Sequence, residues 1–153
     1  MIVFWDTSAL LPLVVKQQPF TNQARKIKRR STDHAVAFIA DLEATAALHR
    51  LRRQGSIESD PLLKRARASL ARLLTKTDVV AFAPSILGEA KALVSRYPLR
   101  ALDSLQLACC KELVTRVPEM EALFVTADGK LAAAARNELS NVILLSQDEV
   151  RSS

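Results

Sequence analysis

The sequence predicts an α/β fold in which a mainly parallel sheet is covered on both faces by helices. Three observations lead there. Short apolar runs rich in Val, Ile and Phe alternate with longer Ala/Leu/Arg-rich segments of helical spacing. Caps, Pro and Gly punctuate the helical segments at their ends. Strands that alternate with helices in this way are joined by crossovers, which makes the strands parallel and puts the helices on the faces.

Taken in order, Ile2-Val3-Phe4-Trp5 reads as a short buried strand. A helix follows over 7–16, with Pro12 tightening or kinking it. Gln17-Gln18-Pro19 is a break, and a basic helix runs over 20–30. Ser31-Thr32-Asp33 is a turn into a second strand at 34–38. Residues 40–54 are helical and Gly55 stops them. Ser59-Asp60-Pro61 combines a cap residue with a first-turn proline, so the next helix runs to about 75 and forms a helical hairpin with the one before. Residues 79–83 are a third strand, and Pro84 opens a helix that ends near Tyr97-Pro98. The remaining elements are a helix over 99–117, a strand over 122–126, a helix over 130–138 and a last strand over 142–145.

No internal repeat, low-complexity stretch or linker divides the chain, and 153 residues suit a single domain, 1–153, with a sizeable core. Apolar residues at 49% and charged residues at 25% are ordinary for a globular protein. The net charge of +6 favours an anionic partner, although a basic surface that serves solubility explains it equally well. The apolar start lacks a basic leader and is interrupted at Asp6, so no signal peptide is expected. No run reaches the ~18 apolar residues of a membrane span. Cys109 and Cys110 are helix neighbours that point apart, with no metal-ligand spacing. Buried thiols in a reducing cytoplasm are the expectation.

Four acids stand where such a fold can gather them: Asp6, Glu43, Asp103 and Asp128. Asp6 and Asp128 each end an apolar run, and in parallel sheets ligands bind beyond the carboxyl ends of strands. Each also precedes a helix, so an N-cap role is the competing explanation, and a cap can still offer its second oxygen. Asp103 interrupts the apolar stripe Leu99, Leu107, Cys110, with Arg100 as its structural partner in the alternative account. Glu43 lies on a face with Ala46, Ala47 and Arg50. Its alternative is a solvated glutamate beside that arginine, and Asp41 competes with it from another face. Asp33, Glu58, Asp60, Asp148 and Glu149 read as turn, cap or tail residues. Clustered carboxylates cannot all ionise without a cation, and oxygen donors suit a hard ion such as Mg²⁺ or Mn²⁺.

Three segments together resemble the PIN domain family, and within it the VapC-like toxins of bacterial toxin–antitoxin pairs. Ile2-Val3-Phe4-Trp5-Asp6-Thr7-Ser8-Ala9-Leu10 is similar to the family's first motif, a strand running into D-[TS]-S-A-L. Arg100-Ala101-Leu102-Asp103-Ser104-Leu105-Gln106-Leu107-Ala108 is similar to the third, and Phe124-Val125-Thr126-Ala127-Asp128-Gly129-Lys130-Leu131 to the start of the fourth. Glu43 matches the second motif by position alone, and Phe38-Ile39-Ala40 stands where members often carry a small hydroxyl residue. The resemblance implies a PIN-like three-layer sandwich and a metal-dependent endoribonuclease toxin. Asp6, Glu43, Asp103 and Asp128 would hold one or two Mg²⁺ or Mn²⁺ ions, and activated water would cut RNA to a 5′-phosphate and a 3′-hydroxyl. Thr7, Ser8 and Thr126 would orient the carboxylates, or serve only as turn and cap hydroxyls. A homodimer and a VapB-like antitoxin laid across the active-site groove are also implied.

Basic residues concentrate at Arg25–Arg30, Arg50–Arg53, Lys64–Arg67 with Arg72 and Lys76, and Lys91–Arg100. Each cluster suits a nucleic-acid backbone or a solvated helix face. Arg100, a turn from Asp103, is the best candidate for contact with substrate. His34 and His49 read as surface or strand-edge residues with no motif to activate Ser8 as a nucleophile. Haloacid-dehalogenase-like and receiver folds fit poorly, because Ser8 stands where the first wants an aspartate and Asp6 lacks the acidic neighbour of the second. The remaining alternative is a PIN-like RNA-binding or scaffold protein that does not cleave.

Overall fold

A computed structural model describes residues 1–17 and 19–147. Five strands form one sheet: β1 (Ile2–Trp5), β2 (Asp33–Ala37), β3 (Asp78–Val80), β4 (Ala122–Thr126) and β5 (Val142–Leu144). Their order is β3-β2-β1-β4-β5 and every pairing is parallel. Seven helices are described: α1 (Thr7–Val14), α2 (Phe20–Lys28), α3 (Ala40–Arg53), α4 (Asp60–Leu74), α5 (Pro84–Arg96), α6 (Ala101–Arg116) and α7 (Gly129–Glu138). The expected α/β sheet with helices on both faces is what forms, and α3 with α4 makes the expected hairpin.

Alternation along the strands builds two cores. Ile2, Phe4, Ala35, Ala37 and Phe124 face a cluster completed by α5, α6 and α7. Val3, Trp5, Val36, Leu123 and Val125 face the other, completed by α1 to α4. Phe4 and Phe124, adjacent in register, stack with centroids 5.8 Å apart. Burial of β1 on both faces explains why its four residues read as an unbroken apolar run.

Several boundaries moved. β3 stops at Val80 rather than 83, because β2 offers partners only from Ala35 to Ala37, and a bond from Phe38 N to Val80 O closes the ladder. Asp33, expected in a turn, pairs with Ile2 and begins β2. α6 begins at Ala101 rather than 99, since Arg100 after Pro98-Leu99 is an extended N-cap. Pro12 sits inside α1, which ends soon after at Val14. Gln18, and Asp148 and Glu149 in the tail, lie outside the described residues.

On the α5–α7 face Lys111 bonds Glu89 and Glu138, while Arg96 and Tyr97 also reach Glu138. Cys109 and Cys110 are buried free thiols; burial pushes the first up to about 11 and the second higher still.

Candidate active site

With the order β3-β2-β1-β4-β5, the chain leaves β1 toward β2 on one side and returns at β4 on the other. The crevice between the carboxyl ends of β1 and β4 is therefore the switch point of the sheet, where parallel α/β folds bind ligands. Asp6 stands one residue past β1, with its amide bonded to Val125 O at 3.0 Å, and Asp128 stands two past β4. Asp103 comes from the first turn of α6 and Glu43 from the first turn of α3. All four line one cleft of about 650 Å³, with Thr7, Ser8, Arg50 and Arg100 on its walls. Asp41 lies outside it, exposed and accepting a bond from Thr45.

Asp6 is buried, and its helix-capping alternative is not realised: its side chain makes no cap bond. Oδ2 instead accepts from Ser8 Oγ and, at 2.8 Å, from Thr126 Oγ1. Those hydroxyls accept in turn from Ala127 N at 2.9 Å and Asp128 N at 3.0 Å. The carboxylate is thus locked between the ends of the two central strands, with Oδ1 given no protein donor among the described residues. Burial pushes its pKa up to about 6 against the lowering effect of both hydroxyls, and the charges of Asp103 and Glu43 raise it further.

Asp128 does cap α7, its Oδ1 accepting from Lys130 N at 2.8 Å and Leu131 N at 3.0 Å. Both bonds fall on the same oxygen. Asp103 is half-buried; burial and the neighbouring Asp128 charge raise its pKa, while Arg100 opposes them. No ion pair joins Asp103 to Arg100 among the described residues; Arg100 favours the Asp103 carboxylate through its charge and a backbone hydrogen bond. Glu43 is not paired with Arg50 either. Its Oε1 accepts from Gln106 Nε2 at 2.7 Å and Thr7 Oγ1 at 3.4 Å. Burial raises its pKa, with Asp103 adding to the effect.

Gln106 was not singled out in the sequence. It is fully buried on α6, one turn past Asp103, and Nε2 also reaches Thr7 Oγ1 at 2.9 Å. Its Oε1 is buried without a partner among the described residues. The signal that could have found it is a lone amide inside an apolar helix face, three residues from Asp103.

The donor chemistry fits a hard divalent cation: four carboxylates line the cleft, three of them (Asp6, Glu43 and Asp103) raised in pKa by burial and by neighbouring acids, with no His or Cys on the cleft wall. Among the described residues no three such side chains are already gathered tightly enough to hold an ion, so closure on one calls for side-chain rotation.

The chain belongs to the PIN domain family, whose model matches residues 3–137. No curated protein matches the sequence. Among solved structures, a toxin–antitoxin complex from Klebsiella pneumoniae is similar at 14% identity, covering 95% of this chain and 98% of that one with a TM-score of 0.64. VapBC2 from Rickettsia felis, bound to a DNA fragment from its promoter, is 13% identical over 95% of this chain and 100% of that one, with a TM-score of 0.66. VapC20 of Mycobacterium tuberculosis, a toxin that cleaves the sarcin–ricin loop, is 19% identical over 86% and 94%, with a TM-score of 0.60. At these identities the likeness is one of fold.

Proposed function

We propose that this chain is a divalent-metal-dependent endoribonuclease of the VapC toxin type, restrained by an antitoxin. The observation that carries the reading is the convergence of Asp6, Glu43, Asp103 and Asp128, from four separate segments, on one cleft at the switch point of the sheet. Membership of the PIN family supports it, as does similarity in fold to a sarcin–ricin-loop-cleaving toxin and to toxins solved with their antitoxins.

The four carboxylates would hold Mg²⁺ or Mn²⁺. Such an ion, when bound, supplies a water of lowered pKa and offsets charge on the phosphoryl oxygens. The chain itself supplies positioning. Ser8 and Thr126 hold Asp6 by one oxygen, and Gln106 with Thr7 holds Glu43. Arg100, and with it Arg50, would meet the RNA backbone at the cleft wall. Ser8 is not a nucleophile in this scheme: its hydroxyl is committed to Asp6 and Ala127 N, and no histidine lines the cleft. The whole chain acts as one domain, as a homodimer in the cytoplasm; among the described residues no helix is long and apolar enough to cross a membrane.

The test is 5′-end sequencing of cellular RNA after induced expression, wild type against Asp6→Asn. New 5′-phosphate ends found only with the wild type are expected. Identical ends in both, from soluble protein, would turn the reading toward RNA binding without cleavage.

A further inference from the structure

A second concavity lies at the opposite end of the sheet. It is a groove of about 570 Å³ between the end of α1, the end of α2 and the last turns of α4, close to the amino-terminal ends of β1 and β2. Lys28 and Arg29 enter it from α2, Arg72 and Lys76 from α4, and no acid lines it. Asp33 and Asp78, the nearest acids in sequence, lie outside its wall.

What sets this groove apart is that four cations from two separate segments line it and no acid does. On the α5–α7 face Arg96 and Lys111 are matched by Glu89 and Glu138. None of the four groove cations makes an ion pair among the described residues. Arg72 is steered by Ser69 Oγ at 3.2 Å rather than by an acid. Arg25 and Lys26 on α2, and Arg30 just past its end, extend the positive charge along one flank, whereas Lys64, Arg65 and Arg67 on α4 line concavities shared with Asp41, Asp60 and Glu58. His34 forms part of the wall, its Nδ1 accepting from Trp5 Nε1 at 3.2 Å, which leaves Nε2 as the donor of the neutral ring. Burial, and then Lys28, lower its pKa against the opposing charge of Asp33. Converging cations held apart without counter-charge are costly by mutual repulsion unless an anion joins them. The charge runs on past the groove, which suits a polymer of phosphates better than a single small anion.

We propose that this groove is a second contact for the RNA phosphodiester backbone, remote from the carboxylate cleft; the inference rests on the RNA reading above. The two sites are separated by about the length of a strand, roughly 15 Å. A dinucleotide at the cleft cannot reach the groove, whereas a longer single strand can.

The experiment is fluorescence anisotropy of a labelled single-stranded RNA in EDTA, across a salt series. It compares the wild type with Lys28→Ala/Arg72→Ala and with a control pair, Arg116→Ala/Arg136→Ala, which removes the same charge from exposed sites on the other face. All four side chains are exposed, so circular dichroism is expected to report intact folds. The groove variant is expected to bind roughly tenfold more weakly at moderate salt, with the log–log salt slope flattened by about 1.4, while the control keeps the wild-type slope. Equal losses in both variants, or in neither, overturn the proposal. So does stoichiometric binding of pyrophosphate in the groove that leaves RNA affinity unchanged. Because no cleavage is needed, a chain that binds RNA through the groove but cuts nothing sinks the nuclease reading and leaves this one standing. A chain that cuts RNA with no groove dependence does the reverse.

Discussion

Asp6 concentrates the physics of the site in one side chain. Its folded pKa, near 6, lies above the usual value of 3.8, so the folded state holds this proton more tightly than the unfolded chain does. Stability from this group is complete below about pH 4 and is lost as pH rises through about 6, a change on the order of 3 kcal/mol. In EDTA, urea denaturation of the wild type should lose stability across that window, and Asp6→Asn should remove the loss. A wild type whose stability does not fall there would mean that the carboxylate is solvated. Gln106 is the complementary case. Gln106→Leu removes both bonds from its amide and the orphaned Oε1 together. Mn²⁺ affinity by calorimetry should fall about 10- to 100-fold with the fold retained, since Glu43 loses its strongest donor. Wild-type affinity in that variant would make Gln106 a packing residue only. Asp6 was legible in the sequence because it interrupts an apolar run. Gln106 was visible only as one polar letter in a Leu-rich helix, and its partners lie 99 and 63 residues away.

At the scale of elements, the α3–α4 hairpin depends on local signals. Gly55 closes α3 at φ +82°, a region costly for any residue with a Cβ. Ser59 caps α4 by accepting from Leu62 N at 3.4 Å. Gly55→Ala and Ser59→Ala should each cost about 1 kcal/mol in chemical denaturation, without changing the m-value. An effect near zero for Ser59→Ala would mean that the long capping bond contributes nothing. The α5–α7 face is held differently. Glu138 is pulled below its ordinary range first by its bond to Lys111, so this stabilisation is present at neutral pH and is lost as pH falls through the depressed value. Lys111→Met should flatten the acid limb of the stability profile; an unchanged limb would place the acid sensitivity elsewhere. Local signals of this kind, Ser59-Asp60-Pro61 above all, made the helices readable. The short strands were less so: β3 ended where its neighbour β2 ran out of partners, and no residue within 79–83 announces that.

For the whole molecule, the proposed binding of a divalent ion by the four carboxylates would make stability, pH and metal one linked system. Mn²⁺ should raise the melting temperature, and more at pH 7 than at pH 5, because its ligands must be deprotonated to bind. A shift equal at both pH values would point to binding away from the raised-pKa acids. The sequence by itself determined the α/β class, the two-sided burial of β1, the helical hairpin and the acids at strand ends, because hydrophobic period, caps and Pro or Gly positions act over a few residues. Only the tertiary structure decided that Glu43 rather than Asp41 faces the cleft. It also decided that Asp128 caps a helix while Asp6 does not, that Gln106 bridges α1 and α3, and that cations from two separate helices share an acid-free groove. The physical reason is the same throughout. Sheet order and helix rotation are set by packing two cores against one sheet, and that packing brings together residues whose letters carry no record of one another.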